Sequence, residues 1–405
     1  MLIGIVGTCV VACEIEDEAL VVRVRPSWRR PRCSGCGKRR PWDRVATEER
    51  RWRHLDLAGI ALFLSYDVRR VQCPKCGVVV ERVPWCSEPR ARFTDDFDQQ
   101  VAHLAQRCDK TSIENMLRIA WRSVGRCIER VMKRRGRADQ LDGLAAIGVD
   151  EISYRKHHHY LTLVADHVER RIVWGKEGKD AATLKAFFDE LGEERRQKIQ
   201  VVSMDMSGAF INAVRDAVPH AQIVFDRFHV QGLASKAVDE TRRELWQELR
   251  RDDPEAAKAL KHTRWALLKD FMNLTDAEEA KLSEIQRVNF RLYRGYLLKE
   301  LLGDILDRRQ PNVVRALLLG WISWALRSRL PAFVRTAQTI REYLDEIVAY
   351  IRWQVTNGLV EGLNNKARLL TRRAYGFHSA EAVLAMIMLC CSGIDIPPVR
   401  KKLVG

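Results

Sequence analysis

No apolar run in this chain reaches about eighteen residues without a charge, so no membrane-spanning helix is expected. The N-terminus (MLIGIVGTCVVACEIEDE) lacks the basic opening of a signal peptide and runs straight into acids, so it reads as a strand. Acidic side chains are also in short supply: 53 Asp and Glu face 69 Lys and Arg, leaving a formal charge of +16. That imbalance points to a polyanionic partner, nucleic acid by default, with a merely basic enzyme as the alternative. Seven of the eleven cysteines (Cys9, Cys13, Cys86, Cys108, Cys127, Cys390 and Cys391) lack metal-ligand spacing and read as buried thiols. With no leader in view the compartment reads as reducing, where paired cysteines hold metal rather than form disulfides.

At 405 residues the chain is too long for one core, and two to four domains are expected. What is present begins with two C-x-x-C knuckles, Cys33-Ser-Gly-Cys36 and Cys73-Pro-Lys-Cys76, each followed by a glycine that permits a tight turn. Two such knuckles predict a closed four-cysteine zinc site; two unrelated pairs of reduced cysteines are the bland reading. From Val22 to Arg53, twelve Lys and Arg, Arg29 and Arg30 among them, stand against three acids, with Trp28, Trp42 and Trp52 interleaved. Such cations reach phosphates, and the tryptophans either stack on bases or fill a core.

Thr94-Asp-Asp-Phe-Asp98 is an N-cap signature. After it, Thr111–Leu117, the turn Arg118-Ile-Ala and Trp121–Val131 have the layout of a helix-turn-helix. Val124, Ile128 and Val131 point inward, and Arg122, Arg126 and Arg130 outward. An ordinary three-helix bundle would show the same periodicity. Lys133-Arg-Arg-Gly-Arg137 then reads as a linker.

The central pattern is β-β-β-α-β-α-β, a mixed sheet flanked by helices: strands 146–152, 160–166 and 171–174, helix 181–191, strand 200–204, helix 208–218 and strand 222–225. The first strand ends in Asp150, followed by Glu151, and the fourth runs into Asp205. A buried strand ending in a carboxylate needs a partner for its charge. Two such ends at neighbouring edges make a site for a hard divalent cation. Asp226-Arg-Phe-His229 follows the last strand. From Gly232 to Tyr350 the chain reads as helix without a convincing strand, an unusual length to interrupt an α/β domain. The closing segment, Asn357 to Phe377, places Leu359, Leu363, Ala367 and Leu370 on one helical face. Glu361 projects near its start, and Asn365, Lys366, Arg368 and Arg372 line another side. A carboxylate backed by amides and cations suits a metal beside phosphates, and a capping glutamate among surface charges gives the same pattern.

Together these pieces resemble the DDE transposases of bacterial insertion sequences, specifically the ISL-three group. The paired knuckles with Trp52-Arg-His-Leu-Asp56, the helix-turn-helix, GVDE, SMDMSGAF, DRFHV and EGLNNKARLLTRRAYGF carry the resemblance, and the last four in this order are highly specific. The resemblance implies a multidomain α/β fold: a ribonuclease-H-like catalytic core (141–231 and 351–395) with a long all-α insertion (232–350). A β-hairpin and zinc-finger region (1–90) and a helix-turn-helix (91–140) precede it. It implies a triad of Asp150, Asp205 and Glu361 holding two Mg²⁺ ions, with Mn²⁺ as the alternative, beside a structural Zn²⁺ on Cys33, Cys36, Cys73 and Cys76. Asp226 and His229 match a C/D-x-x-H motif of several transposase superfamilies and serve as a supporting pair.

The expected activity is cleavage at transposon ends and transfer of the 3′-hydroxyl to target DNA. Arg122 and Arg126 are expected on bases, and Arg29 and Arg30 on phosphates. Lys366, Arg368 and Arg372 are expected near the scissile phosphate, and Trp265 is the first choice for stacking on an unpaired base. The expected partners are double-stranded DNA, transposon ends and target alike, and a second copy of the chain on DNA, with no membrane. The expected location is the bacterial cytoplasm, at the nucleoid. A transposase-derived regulator without catalysis is the runner-up, and loss of a triad carboxylate would be its mark; all three are present.

Overall fold

The computed structural model describes residues 3–136, 140–155, 159–353, 355, 358–373, 377 and 379–399, with the side chains of 43–47, 256, 259 and 288 left aside. Arg137 of the expected linker, Asn357 at the start of the closing segment, Ala374, Tyr375 and Gly376 near its end, and the side chain of Arg44 lie outside the described residues. The chain forms two compact units, one of Met1–Gln140 with Lys366–Gly405, the other of Leu141–Asn365.

The first unit opens with a five-stranded sheet of order β1 (Thr8–Glu16), β2 (Ala19–Pro26), β4 (Ile60–Cys73), β3 (Trp42–Leu57), with β5 (Gly77–Val80) also on β4. β1 and β2 form the expected hairpin. Its turn is two residues, Asp17 and Glu18, both at positive φ. Ala58 and Gly59 close β3 onto β4 in the same way. Such left-handed pairs match the strands' twist, which is why two residues suffice. Trp52 and Trp85 meet edge to face at 5.5 Å inside this sheet's core, so Trp52 is a packing residue.

Helices α1 (Asp95–Ala105), α2 (Lys110–Leu117) and α3 (Trp121–Arg135) follow. Thr94 caps α1 by accepting the Phe97 N–H, and Asp109 caps α2. Arg118, at φ 52°, ends α2, and the chain enters α3 three residues later. Phe97, Val101, Ile113, Val124, Ile128 and Val131 form the core, joined by Met386 and Leu389 from α16 (Ala380–Cys391).

Arg130 departs from its expected outward place. Its guanidinium grips the fully buried Asp98 carboxylate, with Nη2 at 2.5 Å and Nε at 2.8 Å. Arg134 Nη1 also reaches Asp98 Oδ2 at 3.0 Å, so it is removal of Asp98 that would strand a half-buried cation, at a cost of about 3–5 kcal/mol.

The second unit is built on a sheet of order β10 (Gln222–Phe225), β9 (Val201–Met204), β6 (Ala146–Arg155), β7 (His159–Asp166), β8 (Arg171–Glu177). β6, β7 and β8 are an antiparallel meander, and β9 and β10 join parallel to β6. Helices α4 (Ala181–Leu191), α5 (Glu193–Arg196) and α6 (Gly208–Ala217) connect the later strands. This is the ribonuclease-H-like arrangement. Beyond β10 the chain is helical among the described residues: α7 (Arg227–Asp252), α8 (Pro254–Ala259), α9 (Arg264–Leu268), α10 (Asp276–Val288), α11 (Phe290–Leu306), α12 (Pro311–Leu326), α13 (Pro331–Glu342) and α14 (Leu344–Trp353). α7 begins inside the Asp226–His229 motif, and α14 returns to pack on β10. α15 (Gly358–Arg373) supplies its first half to this unit and its second half to the other. No helix among the described residues is long and apolar enough to cross a membrane.

Candidate functional site

Two groups of side chains carry metal-binding chemistry. In the first unit the knuckle Cys33–Cys36 is closed by the Gly37 N–H donating to the Cys33 carbonyl, with Gly37 at φ 70°. Gly77, at φ 72°, plays the same part after Cys76. The ligand atoms of Cys33, Cys36, Cys73 and Cys76 all lie within 4.8 Å of one another. Burial opposes ionisation of Cys73, yet the backbone N–H groups of Cys76 and Lys75 outweigh it and bring the thiol down to about 6. Four sulfurs gathered this closely, one already inclined to the thiolate, fit a tetrahedral zinc ion.

The second group lines the sheet of the second unit. Asp150 sits midway along β6 and Asp205 directly after β9, strands that pair in parallel. The Asp150 carboxylate is held above its usual range, mostly by burial, with Asp205 pushing the same way and His229 opposing. Glu151, the next residue on β6, is pushed up to about 7 by burial and then by the Asp205 charge. Asp226 is buried too and shifted upward by burial, then by Glu361, against the pull of His229. The His229 charge thus opposes the upward shift of both Asp150 and Asp226, and the Glu361 charge adds to that of Asp226.

Among the described residues the four cysteines are the one group of three or more such ligands gathered within 4.8 Å; Asp150, Asp205 and Glu361 do not converge that far. Their fit to a hard divalent ion rests on donor chemistry: carboxylate oxygens, that of Asp150 held above its usual range chiefly by burial, with a buried Asp226 Oδ1 that has no hydrogen-bond partner.

α15 brings Glu361, exposed, and Asn364, buried. The buried seam of this helix is Val360, Asn364 and Ala367, with Leu359, Leu363 and Leu370 half-buried beside it. The expected stripe is thus displaced by one residue. Sequence reasoning passed over Asn364, which donates from Nδ2 to Asp150 Oδ2 at 2.5 Å.

Lys366 donates to the Cys390 carbonyl at 2.7 Å, Arg368 is half-buried, and Arg372 is exposed. On α3, Arg122 and Arg126 are exposed, as are Arg29 and Arg30 in the β unit. Trp28 and Trp42 are half-buried, with Arg32 and Arg69 at 5.3 and 5.4 Å from their rings. Trp265 is 59% exposed beside Arg264, whereas Trp321 is 1% exposed with its N–H on the Leu298 carbonyl.

A ribonuclease-H-like sheet with one carboxylate midway along β6 and another directly after β9, in a chain that also holds a four-cysteine cluster, defines a DDE-type DNA transposase. Comparison with known proteins agrees. A family model described as "Transposase", of the ISL-three group, matches residues 147–387. A second, the zinc-finger of transposase IS204/IS1001/IS1096/IS1165, matches residues 29–76. The chain is 40% identical to the transposase for insertion sequence element IS1557 of Mycobacterium tuberculosis, over 93% of this chain and 91% of that protein. It is 29% identical to the transposase for insertion sequence element IS1001 of Bordetella parapertussis, over 91% and 90%. The chain belongs to the ISL-three transposases of insertion sequences.

Proposed function

We propose that this transposase binds the terminal inverted repeats of its element, cleaves the ends and transfers the 3′-hydroxyl strands to target DNA. Asp150, Asp205 and Glu361 are the catalytic triad in this reading. What supports it most is the link between α15 and β6, where the Asn364 side chain meets Asp150, because Glu361 then stands beside the sheet although the helical array separates it from Asp205 in sequence. The triad carboxylates would hold two Mg²⁺, or Mn²⁺, ions, which when bound activate a water or 3′-hydroxyl and stabilise the leaving oxygen.

The chain's own residues do the rest. The His229 charge offsets part of the negative charge of Asp150 and Asp226. Lys366, Arg368 and Arg372 lie further along the Glu361 helix, where cations can balance phosphate charge. Arg122 and Arg126 read bases from α3, while Arg29 and Arg30 take phosphates. Trp265 is exposed enough to stack on an unpaired base. Two copies act together on DNA, one for each end. Residues 1–90 and 91–140 bind DNA, 141–231 with 351–395 carry the chemistry, and 232–350 form an insertion.

The test is Mg²⁺-dependent cleavage of a labelled end fragment. Asp150→Asn, Asp205→Asn and Glu361→Gln keep volume but remove a ligand charge, so each should lose cleavage while retaining end binding. A variant that cleaves near the wild-type rate removes its residue from the triad.

A further inference from the structure

Asn364 is 1% exposed, three residues past Glu361 and four past Val360. Its Nδ2 donates to Asp150 Oδ2 at 2.5 Å, while the Glu151 N–H donates to Asp150 Oδ1 at 2.7 Å. Each carboxylate oxygen is thus tied by one donor, and its remaining lone pair is left for another partner. The amide's orientation follows from chemistry, since a flipped amide would set oxygen against oxygen. Asn364 Oδ1 is buried without a hydrogen-bond partner. Leaving an acceptor in that state costs about 1–3 kcal/mol, so this side chain is not here for stability alone.

A second contact lies two residues back on β6. A Cβ at Gly148 would overlap Val360 Cγ2 and stand 2.8 Å from His167 Nε2 and 3.1 Å from Ser203 Oγ. Glycine is what lets α15 settle this deeply on the strand. The two contacts share one geometry. Gly148 and Asp150 are two apart on a strand, a rise of roughly 6.6 Å on one face. Val360 and Asn364 are four apart on a helix, a rise of about 6 Å on one face. Gly148 therefore takes Val360 while Asp150 takes Asn364, and a slip of α15 by one residue would break both.

We propose that Asn364 is the positioning residue for Asp150, and that the Gly148–Val360 seat sets the register in which it acts. This rests on reading Asp150 as a carboxylate that holds a divalent cation. The amide keeps the carboxylate in one rotamer, so ion binding does not have to order it. Seating α15 is thereby coupled to aiming Asp150, and the same helix brings Glu361.

The experiment is calorimetric titration of Mn²⁺ into the full-length, zinc-loaded chain, with melting and end-fragment binding as folding controls. Asn364→Ala should weaken Mn²⁺ binding about tenfold or more, the usual effect of losing a group that orients a ligand. It should raise the Mg²⁺ concentration for half-maximal cleavage more than it lowers the rate at saturation. If Asp150→Asn abolishes Mn²⁺ binding and cleavage while Asn364→Ala leaves Mn²⁺ affinity unchanged, the positioning role is overturned and the triad stands. If Asp150→Asn itself binds Mn²⁺ and cleaves normally, the triad reading falls first, and this proposal with it. Should Asn364→Ala fail to fold, Gly148→Ala decides the register. It should weaken Mn²⁺ binding, and adding Val360→Ala should restore part of it; no recovery in the double variant overturns the seat.

Discussion

The cysteine cluster and the carboxylates around Asp150 are both assembled from residues distant in sequence, yet only the first group is gathered closely. Four sulfurs lie within 4.8 Å of one another, whereas Asp150, Asp205 and Glu361 share a neighbourhood without closing to that distance. The difference follows from charge. Thiols are neutral until a metal or a backbone N–H favours the thiolate, so knuckles can bring them together in advance. Carboxylates repel one another, and burial with mutual repulsion already holds Asp150 above its usual range. A structural centre is closed and rigid, while a catalytic one keeps open positions for substrate.

The comparison breaks first if the cysteine centre proves dispensable. Cys36→Ser should release its zinc equivalent and unfold the knuckle region, a loss of several kcal/mol since structural zinc contributes folding energy outright. Metal analysis and calorimetry of reduced protein check this, and a zinc-free variant melting like wild type would contradict it.

The carboxylates should behave the opposite way. Asp205→Asn removes one of the crowded charges, so the Mg²⁺-free variant should melt at the wild-type temperature or about 1–3 °C above it. Mg²⁺ should raise the melting temperature of wild type and not of this variant. A lower melting temperature without Mg²⁺ would mean that Asp205 is a structural residue.

The smallest effect concerns a third buried charge, held by neither metal. Lys110 is 2% exposed, its ammonium 3.6 Å from the Trp121 ring centroid and 4.8 Å from that of Phe377, with no hydrogen-bond partner. Burial brings it down to about 8, with Glu129 opposing. Between pH 8 and about 10.4 the unfolded chain binds the extra proton, so this group's contribution to stability rises with pH across that window. Lys110→Met should gain stability relative to wild type at pH 7, by a few degrees at most, and the gain should shrink toward pH 10. Parallel melting curves at both pH values would show that the lysine carries no such cost.

Much of this was legible in the sequence because it is local. The strands delivering Asp150 and Asp205 are short apolar runs, and burial on both faces demands that composition. The knuckles are fixed by spacing and by glycines that the structure finds at positive φ. The turn before Trp121 was readable from periodicity on either side. Long-range partners were not readable. Arg130 looks like one more basic residue until Asp98, 32 positions earlier, is found buried beneath it. Asn364 looks like a surface amide until Asp150, 214 positions earlier, is found against it. Polar side chains enter a core when a partner meets them there, and a pattern of apolar positions carries no trace of that partner.

The central claim is that the carboxylates around Asp150 bind divalent cations, and its most direct test is to let a metal mark its own site. Fe²⁺ replacing Mg²⁺ in the zinc-loaded protein, with peroxide and ascorbate, cuts backbone near the bound ion. The account predicts cuts confined to the segments around residues 150, 205, 226–229 and 361, suppressed by excess Mg²⁺ and absent in Asp150→Asn. Cuts elsewhere, or cuts at those segments that persist in Asp150→Asn, would contradict it.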